Sequence, residues 1–416
     1  MRQASFPLRN LRGVLIVLIV SFHAFSAYIV SQPAETPPFD RAPYEWIAFP
    51  IVDSARWLGF DLYCAFQFLY LMQFMFLLSG LFVWQSLLRR GWRAYLFQRI
   101  VRLGIPFLLG TYVLMPLAYY ASYRATAVDP SWSSFWSHWI ELPVTATGPM
   151  WFLWFLTALN FAAVALYRLW PGSSALLTSP LVAQAKTNPG ALFLAIVGVS
   201  AIAYVPLSAF YSPWKWVAFG PFEVQAAFAP QYVLYFLVGL AVGAYGYDRG
   251  LLDADGMLVR RWPLWAVGSF AAFLLWIIPT ALVVKGVAAS IPGLQLAGDL
   301  GLVIFAAATC FAMTAVFLRY AGGRWPVIDS ISENAYAIYF FHYPIVLWLQ
   351  LALLGADLPA VVKAPIVLLM ALLLSWGASV MTNRAIANAR LLADRAAASG
   401  PPSTPRGRVT ESNLSE

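Results

Sequence analysis

Arg12 and His23 stand eleven residues apart in LRGVLIVLIVSFHAFSAY, Leu11 to Tyr28, an otherwise almost wholly apolar run. Eleven residues of α-helix turn through about 1100°, which brings the two side chains within about 20° of one face and about 16 Å apart along the axis. Histidine changes charge near neutral pH and acts as a general base wherever a hydroxyl or water reaches it. An ionisable group at membrane depth is costly, and by default it faces a protein interior or watery cavity and has a role there. The alternative for His23 is a packed ring bonded to a neighbouring carbonyl, and the sequence leaves both readings open.

A second group is basic. In RRGWRAYLFQRIVRLGIP, Arg89 to Pro106, Arg99 and Arg102 are three apart, a spacing that puts them on one helix face at headgroup level. Paired guanidinium groups there suit a phosphate-bearing ligand, whereas Arg89, Arg90 and Arg93 read as charge anchoring and lipid contact. A third group follows at helical spacing: Ser332, Tyr336, Tyr339 and His342 form a polar stripe beside Glu333. That stripe lines the same cavity or hydrogen-bonds between helices. Asp61, Glu223, Asp299 and Glu333 are the acidic candidates for orienting His23 or the arginines, the first three toward the outside and Glu333 toward the inside. The third histidine, His138, lies between Trp136 and Trp139 in an outer loop and reads as interfacial. Cys64 and Cys310 suggest neither a disulfide framework nor a metal site, and no phosphate loop, nucleophile elbow or histidine-rich metal motif is present.

These groups have to be positioned by membrane spans. Of 416 residues, 61% are hydrophobic and only 11% charged, well under the roughly 25% charge of a soluble globular chain. The composition predicts an all-α integral membrane protein, and about ten runs are long enough to cross. They are Leu11 to Val30, Tyr63 to Leu87, Ile100 to Ser122, Met150 to Leu169, Ala191 to Phe210, Gln231 to Tyr247, Leu264 to Val284, Leu296 to Leu318, Ala335 to Leu354 and Val362 to Thr382. The first is expected to be a retained span rather than a cleaved leader. With ten spans, twenty of the 26 Lys and Arg residues fall on the side of both termini and six on the other, which predicts cytoplasmic termini. The net charge of +8 therefore reads as arginines flanking spans, with no nucleic-acid partner implied. Residues 1–392 are expected to form one membrane domain and 393–416 a disordered cytoplasmic tail, GPPSTPRGR being of that composition. The tryptophan-bearing loops Ser31 to Leu62 and Tyr123 to Pro149 lie outside, long enough to cap a cavity.

Several stretches resemble a known family. RNLRGVLIVLIVSFHAF carries an arginine, ten residues, then a histidine, as does the opening span of the membrane acyltransferase 3 family. FQRIVRLGIPF supplies the arginine pair and proline of that family's third span, and FMFLLSGLFVWQSLLRRG resembles its second. GPMWFLWFL, YFLVGLAVG and ISENAYAIYFFHYPIV resemble later segments, in the family's order, over about Leu8 to Thr382. The resemblance implies a ten-span enzyme of the cytoplasmic (inner) membrane that moves an acetyl or succinyl group from acyl-CoA to a hydroxyl, on a glycan or glycolipid outside. Under it, His23 is the general base, Arg12 holds the donor or stabilises charge, and Arg99 and Arg102 bind the donor. Tyr336, Tyr339, His342 and Glu333 are the candidates for cavity lining. The donor is then a substrate, with no tightly bound cofactor and no metal, and the partners are acyl-CoA, the acceptor and membrane lipids. The hydrolase-like extra domain of some members is not expected. Two other readings fit the residues alone: a transporter with His23 and Arg12 in its path, and a non-catalytic scaffold.

Overall fold

In a bilayer every backbone N–H and C=O must be satisfied within its own segment, so long apolar runs become helices. The computed structural model describes residues 5–170, 172–286 and 291–398, and among these nine helices are long and apolar enough to cross a membrane. In chain order they begin with α1 (Phe6–Tyr28), α2 (Leu58–Arg90) and α3 (Trp92–Thr126). A short surface helix, α4 (Trp132–Glu141), precedes α5 (Gly148–Leu169) and α6 (Pro189–Phe210). Next come α7 (Ala229–Tyr245), α8 (Trp262–Val284) and α9 (Leu294–Tyr320), then the short α10 (Pro326–Glu333), α11 (Ala335–Leu353) and α12 (Ala360–Ala398). The sixth expected span is α7, which at 17 residues rises only about 25 Å. The segment expected as a tail from residue 393 is helical to Ala398, and residues 399–416 lie outside the described residues.

The connections alternate between two faces of the bundle. On the N-terminal face, the Asn10 amide donates to the carbonyls of Ala321 and Gly323, and Lys186 pairs with Asp253 at 2.8 Å across two loops. On the opposite, distal face, the loop after α1 folds over the bundle. Trp46 is fully buried there and donates to the Phe39 carbonyl at 3.0 Å. Arg56 donates to the carbonyls of Gln32, Pro33 and Ala34, which staples that loop. The distal face also carries the described strands, a hairpin of β1 (Trp216–Phe219) and β2 (Phe222–Gln225) turned at Gly220, φ +57°. A helical reading of the sequence did not anticipate it.

Close packing sets which helices meet. Gly239 and Gly243 of α7, one turn apart, lie against the carbonyl oxygens of Leu77 and Leu81 in α2, and a Cβ at either glycine would overlap them. This small-residue contact is what brings membrane helices into backbone contact when lipid offers no hydrophobic drive. Two wide turns interrupt α3, Ile100–Gly104 and Gly110–Leu114. In them the amides of Ile105 and Met115 reach back to the carbonyls of Ile100 and Gly110, five residues away. Each ends two residues before a proline, Pro106 and Pro116. Proline has no N–H and crowds the preceding turn, so the helix widens where it would otherwise kink.

Candidate active site

His23 sits in the last turns of α1, where backbone carbonyls have no intrahelical partner. Its own carbonyl is taken by the Gln350 amide of α11 at 2.9 Å and by the Ser26 hydroxyl at 2.8 Å. That fixes the backbone and leaves the ring to be placed by packing. The ring lies 5.3 Å from that of His342 and 5.1 Å, edge to face, from that of Tyr343, centroid to centroid. It is half-buried, and among the described residues neither of its nitrogens has a hydrogen-bond partner.

His342 is different. It is fully buried, and its Nδ1 is 2.6 Å from the Tyr339 carbonyl, one turn earlier in α11. A carbonyl only accepts, so Nδ1 carries the proton and Nε2 of the neutral ring presents a lone pair. That Nε2 is buried without a hydrogen-bond partner among the described residues, one of several such side-chain atoms in the bundle. The bland reading offered for His23, a ring bonded to a carbonyl, thus describes His342.

The rings around the pair are held by hydroxyls. Tyr343 donates to the Tyr119 hydroxyl at 3.2 Å, and the Tyr339 hydroxyl donates to the Pro149 carbonyl. Tyr339, His342 and Tyr343 are spaced i, i+3 and i+4, so the helical period carried the signal for Tyr343 that the sequence reading passed over. Tyr119 comes from α3, and no local pattern pointed to it. Over them lies Glu223 of the hairpin, whose Oε1 accepts from both the amide and the hydroxyl of Thr147. Burial pushes this carboxyl above the usual carboxylate range, and the Thr147 hydrogen bonds pull it partly back.

The other expected site residues lie apart from the histidines. Arg12 is exposed near the N-terminal face, its Nη2 donating to the Ser332 carbonyl at 2.7 Å and its Nε to the Ser332 hydroxyl at 3.2 Å. Arg9 beside it forms an ion pair with the buried Asp329 at 2.5 Å. Glu333 and Tyr336 are exposed, Tyr336 at 43%. The expected polar stripe is therefore broken. Ser332 belongs to α10, the chain turns at Asn334, and of the stripe only His342 of α11 packs on His23, with Tyr339 buried against His342.

Arg99 and Arg102 do not share a face either. The wide turn from Ile100 to Gly104 begins immediately after Arg99 and rotates less per residue than an α-helix, so Arg102 falls short of the position that α-helical spacing predicts. Arg99 is half-buried, its guanidinium 4.7 Å over the Tyr95 ring, with a buried Nε that has no partner. Arg102 is exposed and lines an open groove of about 600 Å³ with Arg90, Phe97, Gln98 and Val101. Of the acidic candidates, Asp61 accepts from the amides of Val30 and Ser31 at the end of α1, and Asp299 bonds Ser208 and Gln295. Neither touches a histidine.

The chain as a whole matches the profile of a family described as an acyltransferase domain, over residues 8–380. No curated protein and no solved structure matches it. Because that match takes in Arg12 and His23 of α1 and the α11 segment that brings His342 to His23, the chain belongs to the acyltransferase 3 family and is a multi-pass membrane acyltransferase.

Proposed function

We propose that the protein is an O-acyltransferase of the cytoplasmic membrane, with both termini cytoplasmic, that transfers an acetyl or succinyl group from acyl-CoA to a hydroxyl of a glycan or glycolipid on the far side. The observation that carries the reading is the His23 ring: it lies among the helices, partly accessible, without a protein partner, and packs on a histidine with a bare Nε2. A base that must accept a substrate proton has to keep a nitrogen free for it.

In this reading the acceptor hydroxyl hydrogen-bonds to a His23 nitrogen and attacks the thioester carbonyl as its proton passes to the ring. The C–S bond then breaks, the acyl group leaves on the acceptor oxygen, and the imidazolium returns its proton to the departing CoA thiolate. His342, whose bare Nε2 lies on the ring packed against His23, offers a second acceptor for the incoming substrate. Arg12, about 16 Å away along α1, suits the phosphates of a donor whose long arm runs down to the histidines. Arg99, with an unpartnered Nε, and Arg102, on the open groove, are the further donor contacts, now as two separate sites and not one bidentate pair.

Surface glycans from cells with the protein, without it, and with His23→Ala would be compared by mass. An acyl increment lost in both altered strains supports the reading and names the acyl group. An increment retained by stably expressed His23→Ala removes His23 from the chemistry.

A further inference from the structure

The distal mouth of the site carries one carboxylate that the steps above do not use. Glu223 is half-buried on β2, with Oε1 taken by Thr147, and the Trp154 indole donates to its carbonyl at 2.9 Å. Among the described residues, Oε2 has no partner. The turn that clamps Oε1 also seats the rings beside the histidines. Gly148, at φ +48°, comes so close to Tyr343 that a Cβ would stand 3.1 Å from its ring, and the Pro149 carbonyl takes the Tyr339 hydroxyl. Three consecutive residues, Thr147 to Pro149, thus connect the carboxylate to both neighbours of the histidine pair.

Aromatic rings flank this mouth. Phe222 packs on Trp154 at 5.5 Å, and Trp216 packs edge to face on Trp151 at 5.5 Å, while Phe222 and Trp216 remain exposed. A carboxylate with one oxygen clamped and the other bare is an acceptor for hydroxyl groups, and charge-assisted bonds of this kind are the strong ones. Aromatic faces cover the C–H faces of a saccharide ring through weak C–H contacts and apolar burial.

We infer that Glu223 is an acceptor-binding residue, its Oε2 taking a hydrogen bond from a hydroxyl adjacent to the one that is acylated, so that it selects which hydroxyl reaches His23. The inference rests on the acyl-transfer reading and adds the class of acceptor: a polyhydroxylated ring that is neutral or cationic at this point, since an anionic group would meet the carboxylate. The blander role, holding the Thr147 turn, needs only Oε1.

Glu223→Gln separates the two roles, because its amide oxygen still accepts from Thr147 while the charge and the second acceptor are gone. Purified protein in liposomes would receive acetyl-CoA or succinyl-CoA as donor. The acceptor probe would be unfractionated glycan released from envelopes of cells lacking the protein. Expected for Glu223→Gln is a rise of about tenfold to a hundredfold in the KM for glycan, with the KM for the donor within twofold. Glu223→Asp, which retracts the carboxylate by one methylene, falls between. A glycan KM equal to wild type, or donor and glycan KM rising together, overturns the inference. If Glu223→Gln elutes abnormally in detergent, the aspartate variant carries the same test. If wild type transfers nothing from either donor, the acyl-transfer reading itself fails and this inference falls with it.

Discussion

The two ends of α1 solve opposite problems. At the N-terminal end Arg12 is exposed, its guanidinium bonded to Ser332, and next to it Arg9 pairs with Asp329. Charge is tolerated there because water reaches it and partners are at hand. At the distal end His23 packs among aromatic rings, and its two nitrogens and Nε2 of His342 have no protein partner among the described residues. The contrast divides the span into an end that holds and an end that reacts.

The largest effect expected is at the reacting end. His23→Gln removes the base and should lower kcat by roughly a hundredfold to ten-thousandfold, read from radiolabelled transfer in liposomes. A loss under tenfold would erase the contrast.

The distal cap gives the next. Lys363 and Asp53 are both almost fully buried and pair at 2.8 Å, tying the loop after α1 to the first turn of α12. Lys363→Met leaves Asp53 as an unpaired buried charge, and breaking such a pair costs about 3–5 kcal/mol. Denaturation in detergent should show that loss, and the double variant Asp53→Leu with Lys363→Met should recover most of it. A single variant as stable as wild type would mean that the cap is not held by this pair.

At the holding end, Arg12→Lys keeps the charge but loses the planar fork that reaches both Ser332 atoms. The expected outcome is a rise of about tenfold in the donor KM with kcat within threefold at saturating donor. A fall in kcat alone would move Arg12 to the chemistry.

The smallest effect lies on the N-terminal face, at Lys186 and Asp253. Lys186 holds the Asp253 carboxyl below the ordinary carboxylate range. A depressed folded value stabilises the fold above the unfolded value of about 3.9 and loses that stabilisation as the pH falls through the folded value. Lys186→Met should therefore lower the melting temperature slightly at pH 7, less so in high salt, and the difference from wild type should fade below pH of about 4. A difference that grows on acidification would contradict the pairing.

How much of this was legible in the sequence follows from which signals are local. Helix placement was, because bilayer length and apolar runs dictate it, and so was the shared face of Arg12 and His23, since α1 is regular between them. The Arg99 and Arg102 pair was not, because the wide turn at Ile100–Gly104 departs from the α-helical period on which the inference relied. Ser332 and Tyr336 joined one stripe on paper, and the turn at Asn334 separates them. Lys363, at the start of the last expected span, is buried by a partner 310 residues away. The meeting of His23 with His342 depends likewise on how α1 and α11 pack, a tertiary fact that neither run contains alone.

The division of labour along α1 is tested most directly by measuring acetyl-CoA binding and turnover side by side in purified His23→Gln and Arg12→Lys. The account predicts that the histidine variant binds the donor as wild type does and fails to transfer. It predicts that the arginine variant binds weakly and transfers at near wild-type rate once saturated. Equal loss of binding in both variants, or full turnover in the histidine variant, would contradict it.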